Sequence, residues 1–100
     1  IPLKRNRKEN KHNKKEKNKN TLEITSFNAR SLAKRKTEIR EFLLEKKIDI
    51  MAIQETWINK NTQNINFKGY DIIKSEPYER KGSGVAMIIK ENIKYKIVII

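Results

Sequence analysis

Between residues 22 and 53 the hydrophobic pattern changes period twice, and few folds permit that in so short a stretch. Residues 22–28 alternate. Leu22, Ile24 and Ser26 face one way and Glu23, Thr25 and Phe27 the other, as in a strand. Leu32, Ile39, Phe42 and Leu43 then fall on one helical stripe. Leu44 widens it, while Lys36, Arg40, Glu41 and Lys47 lie mostly off it. Ser31 or Thr37 could cap the start of this helix, and Lys46-Lys47 suit the negative end of its dipole. Residues 48–53 are nearly continuous apolar, broken by Asp49, and so short a run reads as a strand buried on both faces. Strand, helix and strand within about 34 residues have the length of a βαβ unit. The two strands are then parallel and joined by a right-handed crossover.

The rest of the chain reads as strands. Residues 57–68 are Asn-rich and irregular. Gly69-Tyr70 opens a strand over 70–75, Glu76-Pro77 ends it, and residues 80–84 form a loop. Residues 85–90 and 94–100 read as an antiparallel hairpin around a Glu91-Asn92-Ile93 turn. One parallel pair, then a run of strands, with too little helix to cover both sheet faces, makes the fold class α+β.

Charge divides the chain. The formal net charge is +12. Residues 1–20 hold nine Lys/Arg against Glu9 and Glu16, a net of +7, with only Ile1 and Leu3 apolar. Such a segment buries too little to offset its ordering entropy, so 1–20 reads as a disordered basic tail and 21–100 as the folded part. The tail suits an electrostatic arm, a nuclear-import signal or a linker. The chain starts with Ile and ends inside the run Lys96-Ile97-Val98-Ile99-Ile100, which reads as a fragment. There is no cysteine, which excludes a disulfide partner, a thiolate nucleophile and a cysteine zinc site. No apolar run is long enough to span a membrane, and no basic start leads into an apolar stretch, so the chain reads as not secreted.

Chemistry is best sought at strand ends. In a βαβ unit the C-terminal ends of the parallel strands share one edge, and neighbouring strands lie roughly 4.8 Å apart. Asn28 ends the first strand and Gln54-Glu55-Thr56 the second, so Asn28 and Glu55 project from the same rim. A carboxylate there can hold Mg²⁺ through oxygen, and an amide can donate to a phosphate or orient the carboxylate. The plainer reading is a solvated strand end and a turn-forming Asn. Arg30, Lys34, Arg35 and Lys36 cluster after the first strand, as a solvated helix face or as phosphate contacts. Trp57 reads as a packing residue at the rim, with base stacking as the alternative. Gly82-Ser83-Gly84 is no dinucleotide fingerprint, since Met87 stands at the third glycine position and a strand follows; it reads as a loop permitting close packing. His12, the one histidine, sits in the basic tail and reads as inert.

The segment Leu22-Glu23-Ile24-Thr25-Ser26-Phe27-Asn28-Ala29-Arg30-Ser31-Leu32 resembles the opening of the endonuclease/exonuclease/phosphatase superfamily. It is most similar to the apurinic-type endonuclease domain of non-LTR (LINE-like, jockey-type) retrotransposons. There a helix with a Phe-Leu pair follows, then a strand reading Asp-Ile through Ile-Gln-Glu-Thr, which residues 49–56 match with Trp57 beyond. Gly69-Tyr70 and Gly82-Ser83-Gly84-Val85-Ala86-Met87-Ile88-Ile89-Lys90 resemble its later strands.

The resemblance implies the N-terminal half of a four-layer α/β-sandwich of the DNase I type, truncated within residues 21–100. It implies that Glu55 binds a catalytic Mg²⁺ (or Mn²⁺), with Asn28 beside it in the site. Some relatives carry a metal-binding Asp where this chain has Arg30. Gln54 packs or hydrogen-bonds alongside. The implied reaction is metal-assisted nicking of target DNA, whose exposed end primes a reverse transcriptase encoded further along. DNA is the implied partner, with the element's own RNA as a further candidate, and the nucleus the implied location. The family's His-Asp base, Asp-x-Asn pair and Tyr lie in its second half and have no counterparts here. Two rivals are a same-fold phosphoesterase acting on another substrate and a catalytically dead remnant that binds nucleic acid electrostatically.

With this charge, DNA binding should depend on salt and hardly on sequence. If about six cations meet phosphates, log K should fall with log salt at a slope of roughly −5. Salt titrations of the full chain and of a variant lacking residues 1–20 test this. The expected outcome is a steep slope that flattens on deletion; an unchanged slope would rule out an electrostatic arm.

Overall fold

The alternating segment forms strand β1 (Ile24–Asn28), and the helical stripe forms α1 (Leu32–Glu45). β2 (Ile50–Gln54), β3 (Tyr70–Lys74) and β4 (Val85–Lys90) complete a four-stranded sheet in the order β1-β2-β4-β3. The computed structural model describes residues 20–62, 64–75 and 83–99. The basic tail up to residue 19, His12 within it, and Gly82 lie outside the described residues. β1 and β2 run parallel, with Ile24 opposite Ile50 and Asn28 opposite Gln54. β4 is antiparallel to both β2 and β3. This is the α+β arrangement the sequence implies, a βαβ unit followed by antiparallel strands.

Local chemistry sets the limits of α1. Ser31, not Thr37, is the cap: its Oγ accepts the Lys34 N–H at 3.3 Å, satisfying a donor the first turn leaves free. At the other end the Ile48 N–H reaches back to Leu43 O at 3.1 Å, with Lys47 in the left-handed region at φ 51°. That is the Schellman closure, and its usual apolar clasp is present in the buried pair Leu43 and Ile48. Leu32, Ile39 and Leu43 bury one stripe of the helix in the same cluster as Phe27, Met51, Ile53, Ala86 and Ile88 from the sheet. Each such side chain contributes about 1.5–3 kcal/mol by leaving water.

Two polar groups tie down the edge opposite the candidate site. The Glu23 N–H donates to the buried Asp49 carboxylate at 2.8 Å. The Tyr70 hydroxyl donates to Ile48 O at 2.8 Å, bracing β3 against the end of α1. The irregular segment is not idle either. Ile58, Ile65 and Phe67 are buried in the core, so the chain between β2 and β3 is pinned at three points.

Two local expectations are corrected. Residues 94–99 form no strand, and no hairpin closes around residues 91–93. β4 already pairs with β2 on one side and β3 on the other, so it has no edge left for a hairpin partner. The segment is tethered instead by the Tyr95 hydroxyl, which donates to Asp71 Oδ2 at 3.2 Å. β2 is not buried on both faces either. Met51 and Ile53 lie in the core, while Ile50 and Ala52 on the other face are only half-buried, because α1 covers one side. Of the two faces of the first strand, which the alternation left undistinguished, the one with Phe27 is buried, while Leu22 is 53% and Ile24 64% exposed.

The face away from α1 therefore shows Ile24 together with Val85 at 57% and Met87 at 41% exposure. An open apolar sheet face favours association. Replacing both Ile24 and Met87 by Thr should lower self-association in sedimentation velocity, with little change in thermal midpoint because both sites are already exposed. Equal association of variant and parent would show that this face is not the sticky one.

Burial, and secondarily the nearby Asp49 charge, holds the Tyr70 hydroxyl above the ordinary tyrosine pKa. The folded state thus keeps that proton longer than the unfolded chain. The resulting stability is present below about pH 10 and is lost as pH rises through the raised folded value. Urea midpoints should fall more steeply above pH 10 for the parent than for Tyr70→Phe, which starts lower but lacks this titration. Parallel curves would exclude the linkage.

Candidate active site

The rim is built by backbone pairing that continues past the strand ends. On the β1 side Ala29 N–H donates to Gln54 O at 2.9 Å, Ser31 N–H to Glu55 O at 3.1 Å and Leu32 N–H to Thr56 O at 2.8 Å. On the β4 side Thr56 N–H donates to Gly84 O at 3.1 Å and Trp57 N–H to Ser83 O at 3.0 Å. Gln54 faces Val85 in the β2–β4 ladder, so an unbroken ladder would next set Glu55 against Gly84. Thr56 takes that place instead. Glu55 is one extra residue, a β-bulge, and its φ is 53°. The first strand carries an extra residue too, in the Arg30-Ser31 turn at φ 46° and 94°.

The bulge decides where the carboxylate points. Asn28 and Gln54 are register partners and share a sheet face. In a regular strand residue 55 would turn to the opposite face, under α1. The left-handed residue re-aims it, and Asn28 Nδ2 donates to Glu55 Oε2 at 2.5 Å. Left-handed backbone costs a non-glycine residue about 1–2 kcal/mol. Arg30, Ser31, Glu55 and Trp57 all adopt it within this rim. Such strain persists only where the surroundings over-determine it, and here the five backbone bonds do so.

The pair has one oxygen to spare. Asn28 Oδ1 is buried and has no hydrogen-bond partner. A carboxylate with an unsatisfied amide oxygen beside it offers the hard ligands that Mg²⁺ or Mn²⁺ accepts, and Mg²⁺ commonly takes only one or two protein carboxylates alongside water and phosphate oxygens. The residues present fit such an ion as part of its ligand set. Among the described residues no group of three or more His, Cys, Asp or Glu is gathered.

The other candidates fall into place around the pair. Gln54 lies beside the site, its Oε1 accepting Ser26 Oγ at 3.3 Å. Trp57 is half-buried just beyond it. Arg30 is exposed on the rim. Lys34 is exposed, and Arg35 and Lys36 half-buried, near the start of α1, whose first turn holds no acidic residue. Through Ser31 and Leu32 the positive end of the α1 dipole is tied to the backbone that carries Glu55. The loop read as permitting close packing does so at Gly84, but sequence reasoning did not identify the buried Thr56 as what packs there. The signal used was a glycine directly before β4, which marks a close backbone approach without naming its partner.

Residues 25–100 match the model of the Endonuclease/Exonuclease/phosphatase family. Among solved structures, an AP endonuclease from Archaeoglobus fulgidus is 28% identical over 69% of this chain and 27% of its own, with a TM-score of 0.55. An AP endonuclease from Leishmania major is 20% identical over 69% of this chain and 24% of its own, with a TM-score of 0.56. A 3′ phosphatase from Neisseria, bound to a product DNA hairpin, is 21% identical over 69% of this chain and 27% of its own, with a TM-score of 0.54. The chain thus spans about a quarter of the length of these structures. The curated proteins gave no match.

Asn28→Ala removes the donor held against Glu55. A hydrogen bond to a charged group contributes about 1.5–3 kcal/mol, so a partly exposed one should cost about 1 kcal/mol or more of stability. Denaturant unfolding of parent and variant measures this, and equal midpoints would show the contact to be energetically idle.

Proposed function

The chain belongs to the endonuclease/exonuclease/phosphatase family, and on that premise we propose that it supplies one carboxylate and its asparagine to a divalent-metal-dependent DNA endonuclease of a non-LTR retrotransposon polyprotein. The observation that carries this reading is the Asn28–Glu55 pair, brought together at the C-terminal rim of the parallel strands by the bulge. The similarity to an AP endonuclease supports nucleic acid as substrate. The retrotransposon assignment rests on the sequence resemblance of Asn28-Ala29-Arg30-Ser31 and Gln54-Glu55-Thr56-Trp57. With it come target DNA and the element's RNA as partners, and the nucleus as the site of action.

In this reading Glu55 and Asn28 Oδ1 hold Mg²⁺ or Mn²⁺. The bound ion supplies positive charge where charge develops on the phosphate. Asn28 orients the carboxylate through its amide and adds no second negative charge to the rim. Arg30 and the N-terminus of α1 favour the anionic DNA backbone on the same side. Lys34, Arg35 and Lys36 extend that positive surface along the helix.

The test joins residues 1–100 to the remainder of the domain from an intact family member and follows plasmid nicking with Mg²⁺. Glu55→Gln keeps the shape and removes the charge. It should cost on the order of 3 kcal/mol of barrier, roughly a hundredfold in rate, with the fold unchanged by circular dichroism. Nicking at the parent's rate would refute the assignment of Glu55. Phosphate release from DNA ends without nicking would point to a phosphatase of the same fold, and DNA binding with neither activity to a dead remnant.

A further inference from the structure

We propose that Gly84 is a positioning residue for the Glu55 carboxylate, acting through its contact with Thr56; the proposal rests on the assignment of Glu55 argued above. Gly84 stands opposite the bulge, its carbonyl accepting the Thr56 N–H at 3.1 Å. Its φ is +98°, which L side chains rarely adopt. A methyl group on its Cα would collide with Thr56 Oγ1, and would meet Thr56 Cβ at 3.6 Å and Trp57 N at 3.7 Å.

A β-branched side chain is stiff at χ1, so Thr56 has little freedom to turn its hydroxyl away. It is 1% exposed, its carbonyl is bonded to Leu32 N–H, and its neighbours are held through Glu55 O to Ser31 and through Trp57 N–H to Ser83. A shift of Thr56 is therefore transmitted to Glu55, one residue away, and the left-handed turn that aims the carboxylate opens. The absence of a side chain at residue 84 lets the backbone just before β4 press on Thr56 and keep the extra residue extruded toward Asn28.

The other described glycine at positive φ separates this role from backbone freedom in general. Gly69 has φ +87°, but a methyl group there would meet nothing within 4 Å. Gly69→Ala carries a comparable conformational penalty without the collision.

The experiment uses the 100-residue chain and two nuclear magnetic resonance readouts. One is the shift of the Asn28 side-chain amide, which reports its bond to Glu55. The other is line broadening at Asn28 and Glu55 by Mn²⁺ alone. Gly84→Ala should move the Asn28 amide toward its free position and weaken Mn²⁺ broadening about tenfold, the usual scale for losing the support of a metal ligand. Adding Thr56→Ala removes the collision and should restore both signals. Gly69→Ala should leave both unchanged while lowering the thermal midpoint. If Gly84→Ala does not fold, the double variant should, with the parent's Asn28 amide. A folded Gly84→Ala with parental signals, a double variant that fails to recover them, or a Gly69→Ala that loses them overturns the proposal. A parent chain whose Glu55 signal ignores Mn²⁺ would instead refute the metal role of Glu55, while the Asn28 amide still decides the role of Gly84.

Discussion

The candidate site depends on one slipped register. Between Gln54 and Thr56 the chain carries a residue that its neighbour in β4 does not match, and that residue is Glu55. Strand geometry alone would send its side chain under the helix, where an uncompensated carboxylate would be heavily penalised. The extra residue turns it outward to Asn28. Everything else at the rim follows from accommodating this slip. The Arg30-Ser31 turn absorbs a matching residue on the β1 side, Ser31 then falls where it can cap α1, and α1 starts with its dipole pointed at the rim.

The strain concentrated there is carried by the core cluster that α1 shares with the sheet. Leu32 and Ile39 lie fully buried in the first half of the helix, and Ile53 lies two residues before the bulged Glu55. Ile58 returns the chain to the core right after Trp57. The left-handed residues are thus bracketed on both sides by anchored apolar ones. The far edge uses polar clamps instead, Asp49 on the Glu23 backbone and Tyr70 on the end of α1, which keep β3 and the β1 start aligned without contributing to the site.

Much of this was legible in the sequence, for reasons that can be named. The period changes over residues 22–53 reflect local geometry, so β1, α1 and β2 appear close to where they were expected, and parallel topology alone brings Asn28 and Glu55 to one rim. What the sequence concealed was non-local. Alternation in residues 22–28 marks two faces without saying which is buried, and the apolar Leu22 and Ile24 proved to be on the exposed one. The strand-like composition of residues 94–100 suggested a hairpin, but pairing depends on a free edge, and β4 had none. Ile58, Ile65 and Phe67 sit among asparagines with no periodicity, so nothing local marks them as core. The bulge was hidden for the same reason: Gln54-Glu55-Thr56 reads as a plain strand end until Gly84 is laid beside it.

The charge pattern at the rim explains why an amide suits the position beside Glu55 better than a second acid. A carboxylate at position 28 would oppose Glu55 directly, and like charges at contact distance raise the cost of keeping both ionised. Asn28 instead donates one hydrogen bond to the carboxylate and leaves one neutral oxygen unpartnered beside it. Arg30 carries the same logic further. Where the resemblance leads one to expect a second acidic ligand in some relatives, this chain places an exposed cation on a left-handed backbone. In the proposed function, anion attraction and cation binding are divided between neighbouring groups: Glu55 is the one formal negative charge in the paired site, and Arg30 with the α1 N-terminus supplies the positive side. A polyanionic backbone can approach such a rim without confronting a cluster of carboxylates, which is the electrostatic condition for one acidic residue to remain usable there.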